Sequence, residues 1–92
     1  MYAVFIEVNA DESNTDEARE MLPEMAVPIA REAGAKSGYW LAPQGGRGLS
    51  VIVFDSEDEA RQAADRFKVG EPAGPSGVTF RTVEVREVLA NL

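Results

Sequence analysis

Glu7 is the residue with the clearest potential for acid–base chemistry. It lies in a predicted strand, residues 2–8, whose alternating side chains place it on the same face as Phe5. Burial among apolar groups raises the pKa of a carboxyl group, and a carboxylate with a raised pKa can act as a general base. We therefore predict Glu7 as a candidate catalytic residue. In the alternative interpretation, Glu7 ends the strand in solvent or pairs with Arg81 or Arg86.

Tyr39 and Trp40 are the residues best suited to contact an apolar ligand. They are adjacent in a predicted strand, so their side chains point to opposite faces of a sheet. At most one of them therefore lines a given cavity, while the other packs elsewhere. Trp40 has the alternative of packing in the core or at a dimer interface, because large aromatic side chains are common in both settings.

The residue types that are missing narrow the chemistry. The chain has neither cysteine nor histidine, which excludes thiolate nucleophiles, histidine-ligated haem and Ser-His-Asp catalysis. Residues 45–48, Gly-Gly-Arg-Gly, lack the spacing of a phosphate loop and precede a strand, so they predict a hairpin turn. The acidic residues at 11, 12, 16 and 17 lack the spacing of an EF-hand and indicate a solvated helix start. We predict no metal and no cofactor.

The charge of the chain argues against two classes of partner. The net charge is −7, and the nine lysines and arginines are scattered without a cluster. Nucleic acid and anionic membrane surfaces are therefore poor partners. No apolar run approaches the ~20 residues of a membrane-spanning helix, and no leader pattern opens the chain. We expect a cytoplasmic protein with one domain, residues 1–92, whose modest core would gain from a partner subunit.

Hydrophobic periodicity predicts four strands and two helices in the order β-α-β-β-α-β. Pro23 and Pro28 interrupt the first helix, and we expect a kink or a fresh start near Pro23, because an interior proline removes a helical hydrogen bond. The predicted strands are residues 2–8, 39–41, 49–54 and 78–88; the predicted helices are residues 14–33 and 57–67, and residues 70–77 form a loop.

Both predicted helices begin with the spacing of a capping box. Asn14 with Glu17 would cap the first helix, and Ser56 with Glu59 would cap the second. Gly34 is the expected stop of the first helix, because glycine readily adopts the left-handed conformation found there.

The strand at residues 49–54 indicates how the elements assemble. Ser50 is its only polar residue, and we interpret it as a small filler whose hydroxyl bonds to backbone. A strand that is apolar on both faces expects cover on both faces. The element order predicts a ferredoxin-like α+β fold, in which a four-stranded antiparallel sheet carries both helices on one face.

The other face of this sheet would then be apolar and uncovered. Phe5, residues 39–41 and alternate residues of the strand 49–54 would populate it. Apolar residues on an open sheet face indicate a second layer, and a second copy of the chain related by two-fold symmetry would supply it. We therefore predict a homodimer whose two sheets face each other and enclose a chamber.

With these elements in place, the chain resembles the dimeric α+β barrel superfamily, and within it the antibiotic-biosynthesis-monooxygenase-like proteins. The resemblance implies a dimeric α+β barrel. It also implies cofactor-independent oxygenation of an apolar aromatic, a phenol or quinol, as one activity found in the group. The features that carry it are the strand at 2–8, Pro28 followed by Gly34, the run Gly38-Tyr39-Trp40, and the strand 51–54 that leads into the capped helix at Ser56.

Two functions from different classes follow from this resemblance. The first is a small cofactor-independent monooxygenase in which Phe5, Tyr39, Trp40 and Arg81 contact the substrate and Glu7 is the base. The second is a non-catalytic dimer that binds a small molecule or serves as an accessory or regulatory subunit. A pocket of ~300 Å³ or more that opens to solvent and holds an ionisable group would favour the first.

Overall fold

The computed structural model describes residues 1–74 and 77–92, and it confirms the predicted β-α-β-β-α-β order. Pro75 and Ser76, in the predicted loop at 70–77, lie outside the described residues. The first predicted helix is divided in two. The elements are β1 (Tyr2–Asn9), a 3-10 turn (Glu12–Asn14), α1 (Thr15–Met21), α2 (Ala26–Glu32), β2 (Ser37–Gln44), β3 (Arg47–Phe54), α3 (Glu57–Ala64) and β4 (Thr79–Glu87).

The four strands form one antiparallel sheet in the order β2-β3-β1-β4. A tight turn joins β2 to β3, where Gly45 and Gly46 have φ values of 64° and 84°. Glycine adopts these values without strain because it has no Cβ atom, which explains the glycine-rich sequence between the two strands. The helices cover one face of this sheet, since residues of α2 and α3 pack in one core with residues of β1 and β3. This arrangement is the ferredoxin-like α+β fold that the sequence predicts.

Pro23 separates α1 from α2. It lies in a turn at residues 22–25, and a fresh helix begins at Ala26. Pro28 is the third residue of α2, where its missing N–H would have had no helical partner. The expected fresh start near Pro23 is therefore confirmed.

The predicted capping box of the first helix is wrong, because Asn14 precedes α1 as its N-cap residue but its side chain makes no capping hydrogen bond to that helix. Asp11, rather than Asn14, begins the helical segment, and its Oδ1 accepts a hydrogen bond of 3.2 Å from the Ser13 N–H. The Asn14 Oδ1 accepts a hydrogen bond of 2.9 Å from the Asp11 N–H. An asparagine thus closes the reciprocal capping box that glutamate usually closes, and a 3-10 turn precedes α1. At α3 the predicted cap is confirmed, because Ser56 Oγ accepts a hydrogen bond of 3.2 Å from the Glu59 N–H.

The face of the sheet away from the helices is apolar in its centre. Strand registers align one row as Tyr39, Val51, Phe5 and Glu84, and the next row as Leu41, Leu49, Glu7 and Thr82. Tyr39 is 70% exposed and Leu41 is 54% exposed. The polar members of both rows lie on the β1 and β4 side, so the apolar surface is centred on β2 and β3. We call this surface the open face.

Candidate functional site

A cavity of about 460 Å³ lies between the sheet and the helices α1 and α2. Its floor is the helix-side face of β1, β2 and β3, and its roof is formed by apolar residues of α1, of α2 and of the turn between them. The roof side chains are large and apolar; they are Met21, Leu22, Met25 and Ile29. Together with Ala18, these residues recur at spacings of three and four, as in an apolar stripe along the predicted first helix, and this stripe faces the cavity. The cavity opens to solvent, as a small-molecule site must.

The side wall is aromatic. Phe67, which follows α3, and Phe80, in β4, both line the cavity. Their ring centroids are 5.3 Å apart with an angle of 48° between the ring planes. Such tilted pairs are favourable because the positive edge of one ring meets the negative face of the other. This end of the cavity is therefore held by a stable aromatic contact.

Ser50 lies at the centre of the floor. It is opposite Trp40 on β2 and Ile6 on β1, and Gly48 and Ile52 are its same-face neighbours along β3. All four of these neighbours also line the cavity. Ser50 itself is only 6% exposed.

The hydroxyl of Ser50 makes no hydrogen bond with residues 1–74 or 77–92. The expected bond from this hydroxyl to backbone is thus wrong. Among the described side chains, every fully enclosed polar atom has a hydrogen-bond partner. Because the Ser50 oxygen has none, it is not fully enclosed and must keep access to the cavity space. The cause is its setting, because the surrounding side chains are apolar and the adjacent backbone groups are engaged in the ladders of a central strand.

Among the described residues, three polar side chains line the cavity away from the sheet. Asn14 comes from the 3-10 turn, Glu17 from α1, and Arg66 from the segment after α3. Glu17 and Arg66 are the ionisable groups of this lining among the residues that the structure describes. Asn14 Oδ1 is already engaged in the capping box, which leaves its amide N–H groups for other contacts.

The structure separates the predicted site residues between the two faces of the sheet. Trp40 lies on the helix side, in the wall of the cavity. Tyr39, Phe5 and Glu7 lie together on the open face, in neighbouring rows. Arg81 is exposed at an irregularity in β4, where the register shifts between Glu7 and Val8 of the facing strand. Trp40 is therefore the one predicted substrate contact that reaches this cavity among the described residues.

Glu7 is buried on the open face, and its surroundings stabilise the ionised form. The Thr82 hydroxyl and the Arg47 guanidinium donate hydrogen bonds that lower the pKa of the Glu7 carboxyl group, although burial opposes this effect. The distance from Arg47 Nη1 to Glu7 Oε2 is 2.6 Å. Arg81 adds a weaker attraction. The expectation of a raised pKa is thus wrong, because a cation and a hydroxyl outweigh the loss of solvent.

Sequence reasoning missed most of the cavity. The roof residues were predictable as an apolar helical stripe, but that pattern is the same for a packed core and for a cavity wall. Ser50 was identified only as an exception in an apolar strand. Its polarity in the middle of that strand was the available signal for a site.

Two solved structures are similar to this chain over nearly its whole length. One is a protein of unknown function from Nitrosomonas europaea, with 19% identity, a TM-score of 0.63, and coverage of 99% of this chain and 91% of that one. The other is a dimeric ferredoxin-like protein from an uncultured marine organism, with 12% identity, a TM-score of 0.61, and coverage of 99% and 96%.

The sequence searches give no further match. No family model matches the chain, and no curated protein matches it. Within the described residues, no helix is long and apolar enough to cross a membrane. At these low identities the two structural matches show the fold alone, and that fold is ferredoxin-like.

Proposed function

We propose that this protein binds a small apolar molecule in the cavity beneath α1 and α2. The observation that carries the proposal is the cavity itself, about 460 Å³ in volume and lined mainly by aliphatic, thioether and aromatic side chains. Ligand sites in proteins fall in this size range and have this composition, with a few polar groups that set the orientation. The methionines of the roof suit such a site because their unbranched chains adapt to different ligand shapes.

Trp40 provides the measurement, because it is the single tryptophan of the chain and lies in the cavity wall. We expect 4-ethylphenol, used as an aromatic probe, to change the Trp40 fluorescence in a saturable way. Ala18→Leu places additional side chain in the cavity and should weaken this binding about tenfold or more, since the probe and the new side chain compete for space. Ala90→Leu, the same change on the exposed tail, is the matched control. Non-saturable fluorescence changes, or equal affinity of Ala18→Leu and wild type, would contradict the proposal.

We further infer that the chain forms a homodimer through the open face. An exposed row that contains Tyr39, Val51 and Phe5 is costly in water, and a second sheet would remove it from solvent. One of the structurally similar proteins is itself a dimeric ferredoxin-like protein. The dimeric α+β barrel proteins that the chain resembles also pair through facing sheets.

Light scattering on wild type and two arginine variants tests the dimer. Leu41→Arg places a charge on the open face and should convert the dimer to monomer at micromolar concentration, because a charge buried without a partner is costly. Val69→Arg introduces the same charge at an exposed apolar site after α3 and should remain dimeric. A monomeric wild type would exclude the proposed interface.

A more specific proposal is that the protein oxygenates the bound molecule without a cofactor. It is supported by the resemblance to the monooxygenase-like proteins and by the ionisable groups Glu17 and Arg66, which line the cavity. Glu7 lies on the other face of the sheet, so a role for it as base requires a chamber between two subunits. Binding without catalysis agrees equally well with the geometry. Residence in the cytoplasm stays a prediction.

Oxygen uptake with a panel of phenols and quinols distinguishes an oxygenase from a protein that only binds its ligand. If the cavity is catalytic, Glu17→Gln should abolish uptake while Glu7→Gln leaves it unchanged. If the chamber between subunits is catalytic, the two variants should exchange these effects. Saturable binding without any oxygen uptake would leave the non-catalytic ligand-binding dimer.

A further inference from the structure

Three properties of Ser50 indicate a role beyond packing. It is more than nine-tenths buried, it occupies the centre of the cavity floor, and its hydroxyl has no hydrogen-bond partner among residues 1–74 and 77–92. The Ser50 hydroxyl can form a hydrogen bond only with water or a ligand in the cavity, and it becomes unfavourable when a group without a polar atom covers it. A central β3 position that served packing alone would favour a small apolar residue.

The neighbours of Ser50 define what would satisfy its hydroxyl. Trp40 and Ile6 flank it across the sheet, and neither offers an acceptor in its side chain. The partner must therefore come from the cavity space. A group there can accept the hydroxyl proton, or donate to the oxygen, only if it carries a polar atom at the end that meets the sheet.

We infer that Ser50 is the polar anchor of the cavity, and that its ligand is an apolar molecule carrying one hydroxyl or carbonyl oxygen at the end that contacts Ser50. The apolar body then lies against Trp40 and beneath the methionines and Leu22 of the roof. This inference rests on the proposed function, because it assumes that the cavity binds a ligand. It adds a specificity-determining residue and a selection rule: the site accepts oxygenated molecules and discriminates against hydrocarbons of the same shape.

The physical basis of the selection is the cost of leaving the hydroxyl unsatisfied. A hydrocarbon would cover Ser50 and remove its access to water without supplying a hydrogen bond. An oxygenated ligand of equal size supplies the bond and buries the same apolar area. Sites that hydrogen-bond a substrate hydroxyl reject the analogue without it more strongly than apolar pockets reject an extra methyl group.

The test compares 4-ethylphenol with ethylbenzene, which has the same shape without the hydroxyl. Affinities of both compounds are measured by Trp40 fluorescence for wild type, Ser50→Ala, Ser50→Thr and Ser37→Ala. Ser37 is exposed at the start of β2, in a row on the open face, and provides the matched control. The ratio of the two affinities is the readout, because it cancels any general effect of a substitution on folding or cavity shape.

We expect Ser50→Ala to lower the affinity ratio of 4-ethylphenol to ethylbenzene about fivefold to tenfold, the value of one net hydrogen bond. Ser50→Thr retains a hydroxyl and should restore most of the ratio, and Ser37→Ala should leave it unchanged. An unchanged ratio in Ser50→Ala, with both compounds still bound, would overturn the role of Ser50 but not the proposed function. If wild type binds neither compound, both proposals are overturned together.

Discussion

The helix layer on this sheet has two halves that differ in how closely they approach it. On the α3 half, Ala60 and Ala63 contact the sheet directly, and Phe54 and Val4 beneath them are fully buried. On the α1 and α2 half, Met25 and Ile29 are about half exposed and line a cavity instead of filling it. The same fold thus contains a close-packed half and a hollow half.

Side-chain size and the prolines account for the difference. Alanines at the α3 surface let the helix backbone approach the sheet, and close packing yields full burial. The first helix has long side chains on its inner surface and is broken near Pro23, so two short helices replace one continuous packing ridge. The close-packed half therefore supplies stability, while the hollow half supplies space for a ligand. Four predictions test or refine this contrast.

The largest effect should come from truncating a phenylalanine in the close-packed half. Phe54→Ala removes a fully buried ring and should cost about 3–5 kcal/mol of unfolding free energy. Phe67→Ala removes a half-buried ring at the cavity and should cost only about 1–2 kcal/mol, mainly through its contact with Phe80. Urea unfolding at one fixed protein concentration measures both, because the stability of a dimer depends on concentration. Equal costs would contradict the contrast between the halves.

The next largest effect should come from enlarging an alanine in each half. Ala60 and Ala18 are each the fourth residue of their helix, in α3 and α1 respectively. Ala60→Leu forces three extra carbons into a filled space and should destabilise the chain by about 1–3 kcal/mol. Ala18→Leu points into the cavity, so it should be neutral or stabilising by up to about 1 kcal/mol. A comparable loss in both variants, measured by urea unfolding, would show that the hollow half is as closely packed as the other.

Ser50→Ala should have a smaller effect on stability, and it should not destabilise the ligand-free protein. Removing a buried hydroxyl that has no hydrogen-bond partner within the described part of the chain should leave the ligand-free protein unchanged or stabilise it by up to about 1 kcal/mol. Thermal unfolding without ligand would measure this, with Ser37→Ala as the control on the open face. A loss of stability above about 1 kcal/mol would indicate that the hydroxyl has a structural hydrogen bond, contrary to its assignment as a ligand contact.

The smallest effect should come from Glu7 on the open face, and it concerns how stability depends on pH. The pKa of Glu7 is lower in the folded chain than in the unfolded one, so Glu7 contributes stability above its ordinary pKa. That contribution is lost as the pH falls through the lowered pKa of the folded state. The stability difference between wild type and Glu7→Gln should therefore shrink on acidification.

Urea unfolding over a series of acidic pH values checks this dependence. Glu20→Gln, on the exposed surface of α1, is the control for removing one carboxylate from a chain of net charge −7. A difference between wild type and Glu7→Gln that grows on acidification would mean that the pKa of Glu7 is raised, as an isolated buried base would require.

Local patterns in the sequence predicted the secondary structure well. The β-α-β-β-α-β order, the break near Pro23, the Ser56 cap and the glycine turn all follow from hydrogen-bonding and backbone rules within a few residues. The predicted capping box of the first helix was wrong because a 3-10 turn precedes α1, and the Asn14 side chain bonds back to Asp11 instead of capping α1.

The site was predictable only in part. Alternation along the strand placed Tyr39 and Trp40 on opposite faces, and the structure confirms this. The contact between the Glu7 carboxylate and the Arg47 guanidinium depends on the pairing of two strands, because these residues are 40 positions apart in the sequence. No rule based on a single strand could have predicted that contact or the direction of the pKa shift that it causes.

The sequence by itself determined the elements, the face that each strand residue points to, and the absence of histidine and cysteine chemistry. These properties depend on periodicity and composition, which a linear chain carries in full. Only the tertiary structure decided that the helical stripe covers a cavity instead of filling it, and that Ser50 lies at the centre of its floor. Those outcomes depend on the distance between layers and on the strand register, and both are set by the packing of the whole chain.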